Sequence, residues 1–259
     1  MDIPYTVQPR VDTGLYNAKV GIWLFLASEV MLFGGLFSAY VLLRVGADPG
    51  TWPHGWQNVT LGTINTIVLA LSAVTTLLAW VACKVGQFGK FRFFHGCTLL
   101  LALAFAVIHL NEYHEDLTHY EIHLTNGLIA DGHMMENDLK EDYVVIEGRT
   151  VSDESDLIDL RAQKNIKETE IKIPRSQIKD MQNYGPWHND YMALDFTMTG
   201  LHLLHVLAGS IVIAFLWITG PKMWRTDPER FTNRVEVSGL FWHFVDLVWI
   251  FLFPVLYLT

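Results

Sequence analysis

Five apolar segments decide what this chain can fold into. They run from about Val20 to Leu43, Leu61 to Cys83, Phe93 to Leu110, Tyr191 to Thr219 and Val237 to Leu258. A transmembrane helix needs about 20 apolar residues to cross about 30 Å of hydrocarbon, and all five approach or exceed that length. In a chain of 259 residues, five such runs leave no amphipathic helices to bury them in a soluble core. The pattern predicts an all-α integral membrane protein, with five transmembrane helices in a bundle.

Composition agrees where it bears on this reading. Charged residues make up 17% of the chain and hydrophobic residues 51%, whereas soluble domains carry about 25% charged residues. Disorder, collagen and coiled coil are excluded. Two cysteines do not make a disulfide scaffold. A net charge of −9 is the wrong sign for a nucleic-acid binder.

The acidity is concentrated. Residues 111–190 carry 8 Lys and Arg against 18 Asp and Glu, and the rest of the chain carries 10 against 9. The chain therefore divides into a polar tail (1–19), helices 1–3 (20–110), an acidic insert (111–190) and helices 4–5 (191–259). Within the insert, Tyr143 to Ile146 and Glu170 to Ile173 read as short strands, the first followed by a Glu147-Gly148 turn. Ser155 to Lys164 reads as a short helix, and Gly185-Pro186 marks the return to the membrane.

No cleavable signal peptide is expected, since the first 19 residues are polar and contain prolines. Orientation follows from Lys and Arg near the helix ends. Arg10, Lys19, Lys84, Lys90, Arg92, Lys222, Arg225, Arg230 and Arg234 fall on one side, and only Arg44 on the other. The N-terminus is then cytoplasmic, and the insert and C-terminus face outward. Cys83 and Cys97 fall toward the reducing side and are expected to be free.

Polar residues inside the membrane mark function by default. Glu29 lies deep in the first helix and Asp246 at a similar depth in the fifth, roughly 14 Å from the cytoplasmic end. His202 and His205 share a face of the fourth helix, as do His243 and Asp246, read as a structural pair, on the fifth. Asn65 sits early in the second helix, and His109, Glu112 and Tyr113 mark the outer end of the third. A membrane His or Asn most often makes an interhelical hydrogen bond, while a deep carboxyl is a costly way to make one. Gly34 with Ser38 and Gly35 with Ala39 offer small residues for close helix approach on the first helix.

A metal site is not expected. The run from His114 to His119 is one residue too long for HExxH, and His119 with His123 lacks the motif's Glu. His205 with His243 or His109 can be drawn as a bis-His heme pair, but no ligand cluster recurs on the partner helices.

The segments together resemble the cytochrome c oxidase subunit III family. The carrying stretches are Trp23 to Phe33 with Ala39-Tyr40, Leu61 to Trp80 with Ile64-Asn65-Thr66, His109 to Tyr113, Thr199 to Ser210, and Phe241 to Trp249. The likeness covers about 180 residues in order, everything except the tail and the insert. Long members of the family have seven helices, of which this chain lacks the first two. Five-helix members occur among bacterial ubiquinol oxidases and nitric oxide reductase companions.

The resemblance implies a non-catalytic subunit of a proton-pumping heme-copper oxidase, in a bacterial inner membrane. Heme and copper belong to partner subunits. The subunit packs on subunit I, alongside subunit II and other oxidase or supercomplex subunits, binds phospholipid and supports proton uptake. Glu29 corresponds to the family's carbodiimide-reactive carboxyl. The insert has no counterpart there; it is read as an acidic dock for a basic electron donor, as a solvated extension, or as a strap on a neighbouring subunit. An equivalent quinol oxidase subunit, a nitric oxide reductase accessory protein and a stand-alone proton-coupled transporter are the alternatives.

Overall fold

Inside hydrocarbon the backbone has no water to bond, so an apolar run must satisfy its own N–H and C=O groups as a helix. The computed structural model describes residues 17–48, 51–53, 55–136, 142–152, 156–157 and 169–258. Among them, five helices are long and apolar enough to cross a membrane. They are α1 (Asn17–Gly46), α2 (Val59–Lys84), α3 (Phe88–Thr118), α4 (Asp190–Thr226) and α5 (Pro228–Tyr257).

Four of the five extend past their apolar segments at both ends. α3 runs to Thr118, so Asn111 to Thr118 are helical rather than part of the insert. Asn189 caps α4, accepting from the Met192 amide at 2.9 Å, and Asp227 caps α5, accepting from the Arg230 amide at 2.9 Å. Lys222, Arg225, Arg230 and Arg234 therefore lie on helices that meet at a single residue, Asp227, rather than in a loop.

Among the described residues, the insert forms a five-stranded antiparallel sheet. Its strands are β1 (His119–Leu124), β2 (Ile129–Glu136), β3 (Tyr143–Val151), β4 (Thr169–Pro174) and β5 (Ile178–Asn183), in the order β4-β3-β2-β1-β5. The two expected strands form the cores of β3 and β4 and pair with each other. The Glu147-Gly148 turn does not exist: both residues lie within β3. Gly148 pairs with Gly132 of β2, and a Cβ on Gly132 would lie 2.6 Å from the Gly148 Cα. The glycines permit close backbone approach, not reversal. The helix expected over Ser155 to Lys164 lies almost wholly outside the described residues.

The chain divides into two compact units. Unit 1 comprises Met1–Phe37, Thr63–Val107 and Leu201–Phe253; unit 2 comprises Ser38–Gly62, Ile108–Gly200 and Pro254–Thr259.

In unit 1, Ala79, Ala82, Cys83, Phe91, Leu216, Phe231 and Val235 form one buried cluster. Side-chain hydrogen bonds tie the helices. Trp242 Nε1 donates to Ser72 Oγ at 3.1 Å, Trp249 Nε1 donates to Thr66 Oγ1 at 3.0 Å, and Thr75 and Thr98 hydroxyls meet at 2.8 Å. Close approach uses Gly209 of α4, whose missing Cβ would lie 3.0 Å from the Phe241 and Trp242 rings. It does not use the small residues of α1: a Cβ on Gly34 or Gly35 would meet nothing within 4 Å. Cys83 and Cys97 are free thiols.

In unit 2 the sheet is two-faced, as alternation requires. Ile122, Leu124, Ala130, Val144, Ile146 and Ile173 bury one face. Glu121 and Asp131, both buried, sit opposite each other on the other face. Burial of Glu121 acts to raise its pKa, but hydrogen bonds and charge from His188 and His123 outweigh it, and the carboxyl is held below its ordinary value of 4.5. His123 Nε2 lies 2.7 Å from Glu121 Oε1 and His188 Nε2 lies 3.3 Å from Oε2.

Candidate functional site

The deep carboxyl of α1 has a specific partner in unit 1. Glu29 Oε2 lies 2.9 Å from His205 Nε2 of α4, with side-chain exposures of 13% and 12%, low enough to exclude bulk solvent from the contact. His205 Nδ1 lies 2.7 Å from the Leu201 carbonyl oxygen one turn earlier. A carbonyl only accepts, so Nδ1 carries a proton and orients Nε2 toward Glu29. Phe33 packs edge-on to the imidazole, with ring centroids 5.4 Å apart.

The other unit 1 residues separate by environment. His202 shares its helix with His205 but not its surroundings. It is fully buried, with its ring 5.6 Å from Phe105 and 5.1 Å from Trp249. His243 and Asp246 do not form the expected pair. Asp246 is buried, and neither carboxyl oxygen has a hydrogen-bond partner among the described residues. Asn65 is likewise fully buried, and its amide makes the expected interhelical bond with none of the described residues. His95 of α3, which sequence reasoning passed over, is fully buried against Phe91 at 4.7 Å, and neither ring nitrogen has a hydrogen-bond partner among the described residues. It lies two residues inside an apolar run and forms no pattern with another His, so only its depth signalled it.

In unit 2, His109, Glu112 and Tyr113 converge as their spacing suggests. His109 Nδ1 donates to Glu112 Oε2 at 3.2 Å, and Tyr257 Oη of α5 donates to the same oxygen at 3.1 Å. Tyr113 stacks on Phe196, with centroids 4.6 Å apart. Thr199 Oγ1 donates to the Asp195 carbonyl oxygen at 2.6 Å, so the 2.7 Å contact with Tyr113 has Tyr113 donating to Thr199. Asp195 was also missed. Five residues into α4, it reads as boundary charge, yet it is 3% exposed and its Oδ1 is unpartnered. A buried polar atom left unsatisfied is costly and commonly marks a site.

Among the described residues, no three His, Cys, Asp or Glu side chains gather as metal ligands. Unit 1 holds a Glu-His pair and unit 2 a His-Glu-Tyr cluster.

Residues 188–259 match the family described as cytochrome c oxidase subunit III. The chain is 24% identical over 243 residues to the cytochrome bo(3) ubiquinol oxidase subunit 3 of Pseudomonas aeruginosa, covering 93% of this chain and 85% of that protein. It is 25% identical over 244 residues to the cytochrome c oxidase subunit 3 of Bacillus subtilis, covering 93% and 86%. With the cytochrome c oxidase subunit 3 of Corynebacterium diphtheriae it shares 29% over 245 residues, covering 92% and 86%. The chain is thus similar over residues 188–259 to the cytochrome c oxidase subunit III family, and over 92–93% of its length to proteins named oxidase subunit 3.

Proposed function

We propose that this chain is the non-catalytic subunit III of a proton-pumping heme-copper terminal oxidase in a bacterial inner membrane. It packs on the catalytic subunit I, holds phospholipid and supports proton uptake, while heme and copper reside in partner subunits. The observation that carries this reading is the Glu29-His205 contact at 2.9 Å. A carboxyl paired with an imidazole supports a role in proton exchange, and it lies on α1, the least buried of the five helices among the described residues.

Exposure of α1 supports contact with a partner subunit. Only 11% of its apolar window is buried, and Trp23, Leu24, Met31, Leu42 and Val45 are exposed. The open surface around Gly34 and Gly35 suits a closely approaching helix of another subunit.

Phospholipid has a fitting groove. A cavity of about 700 Å³ in unit 1 is lined by Ile22, Phe25, Val212, Phe215 and Phe241, with Arg234 among its walls. Apolar walls suit an acyl chain and a guanidinium suits a phosphate.

The relative from P. aeruginosa is named a ubiquinol oxidase subunit, which favours a second reading with the same role beside a quinol-oxidising subunit. The test is purification of the native complex through a tag on this chain. Co-purification of a heme-copper subunit I supports the proposal, and the electron donor that the complex oxidises, cytochrome c or quinol, separates the two readings. A chain that purifies alone, with no heme-containing partner, overturns both.

A further inference from the structure

The polar face of the sheet places a histidine pair that helical spacing does not predict. Four residues apart on a helix, two histidines face one metal; four apart on a strand, His119 and His123 are about 13 Å apart along the chain. The sheet instead sets His119 of β1 opposite His133 of β2. His119 Nδ1 and His133 Nε2 lie 3.3 Å apart, with ring centroids separated by 4.4 Å.

The neighbours fix which atoms face each other. His119 Nε2 donates to Asp131 Oδ1 at 3.0 Å, and Tyr184 Oη lies 2.9 Å from the same oxygen. With its proton on Nε2, a neutral His119 presents the Nδ1 lone pair to His133. A carboxylate on the distal nitrogen is the arrangement that orients metal-bound histidines and raises their basicity. Two nitrogens bound to zinc at about 2.0–2.1 Å in tetrahedral geometry stand about 3.3–3.4 Å apart, which is the separation found. His119 has 13% side-chain exposure and His133 is half-buried, so an ion can reach the pair.

We propose that His119 Nδ1 and His133 Nε2 form a labile two-histidine site for a divalent transition-metal ion, zinc or copper(II), with Asp131 as the orienting group. Imidazole nitrogen suits these ions. Since the described residues supply no third protein ligand, the remaining positions take water or a donor from another chain. Without metal, one N–H···N hydrogen bond joins the rings. On metal binding the His133 proton shifts from Nε2 to Nδ1, and because protons compete for both ligating nitrogens, binding weakens as pH falls. The site is independent of the oxidase reading.

The test uses the full-length chain in detergent, treated with a chelator and then titrated with Zn²⁺ by calorimetry. The wild type should bind one ion that His119→Gln and His133→Gln no longer bind. Asp131→Asn should weaken it about 10- to 100-fold, and His114→Gln, at an exposed position on α3, should leave it unchanged. Should a variant unfold by circular dichroism, the wild-type Cu²⁺ electron paramagnetic resonance spectrum decides alone: hyperfine structure from two imidazole nitrogens supports the site. Undiminished Zn²⁺ binding in folded His133→Gln, or a Cu²⁺ spectrum without two imidazoles, overturns it.

Discussion

Glu29 and His205 hold one proton between them. His205 Nδ1 spends its own proton on the Leu201 carbonyl, and the 2.9 Å contact from Nε2 to Glu29 Oε2 needs one more. Whether that proton rests on oxygen or nitrogen, the pair is neutral overall. A lone charge at the centre of a membrane helix costs about 2.5–3.5 kcal/mol on insertion scales, and the pairing removes that cost. His205→Ala should therefore destabilise the chain in detergent by about 3–5 kcal/mol, the range for breaking a buried pair from one side. Adding Glu29→Leu should recover part of the loss, a coupling read from thermal melts of the double-mutant cycle. Additive effects would show that the contact carries no energy.

The sheet should face outward. With Cys83 and Cys97 replaced by Ser, a cysteine at Asn126, in the turn between β1 and β2, should react with an impermeant thiol reagent in intact cells. One at Gly89, at the start of α3, should not. The reverse labelling pattern would invert the orientation drawn from Lys and Arg.

Gly148→Val should disrupt the sheet, because a side chain there runs into the Asp131 and Gly132 backbone. The expected signature is faster proteolysis within residues 119–183 with the helices intact. Unchanged protection would mean that β2 and β3 separate at no cost.

Stability of the sheet should depend on Glu121 in acid. Its folded pKa lies below 4.5, so its contribution is fully present above that value and is lost as pH falls through the folded pKa. Melts from pH 7 down to pH 3 should show a loss in wild type that is smaller in Glu121→Gln. Parallel losses would remove Glu121 from the account.

Helix positions and the deep polar residues were legible because hydropathy and charge are one-dimensional properties. Glu29 stood out by depth alone. Its partner did not, since i,i+3 spacing groups His205 with His202 and says nothing of which neighbouring helix each one meets. The same limit misassigned Asp246 to His243, and hid Asp195 behind the polar residues that begin α4. In the insert, only Val- and Ile-rich β3 and β4 declared themselves. β1 and β2 carry His, Glu and Asp on the face that turns toward Tyr184, and the acidic residues have low strand propensity.

The most direct test of the central claim is the turnover number of the purified oxidase over successive catalytic cycles, with proton-pumping stoichiometry in vesicles, for wild type and Glu29→Gln. Gln keeps the shape and can still donate to His205 Nε2, but it holds no transferable proton. A near-normal initial rate is expected, then lower pumping or faster loss of activity, with heme content unchanged. Indistinguishable curves would reduce the Glu29-His205 pair to packing. An immediate, complete loss with hemes intact would contradict the supporting role, because Glu29 would then lie on an obligatory proton path.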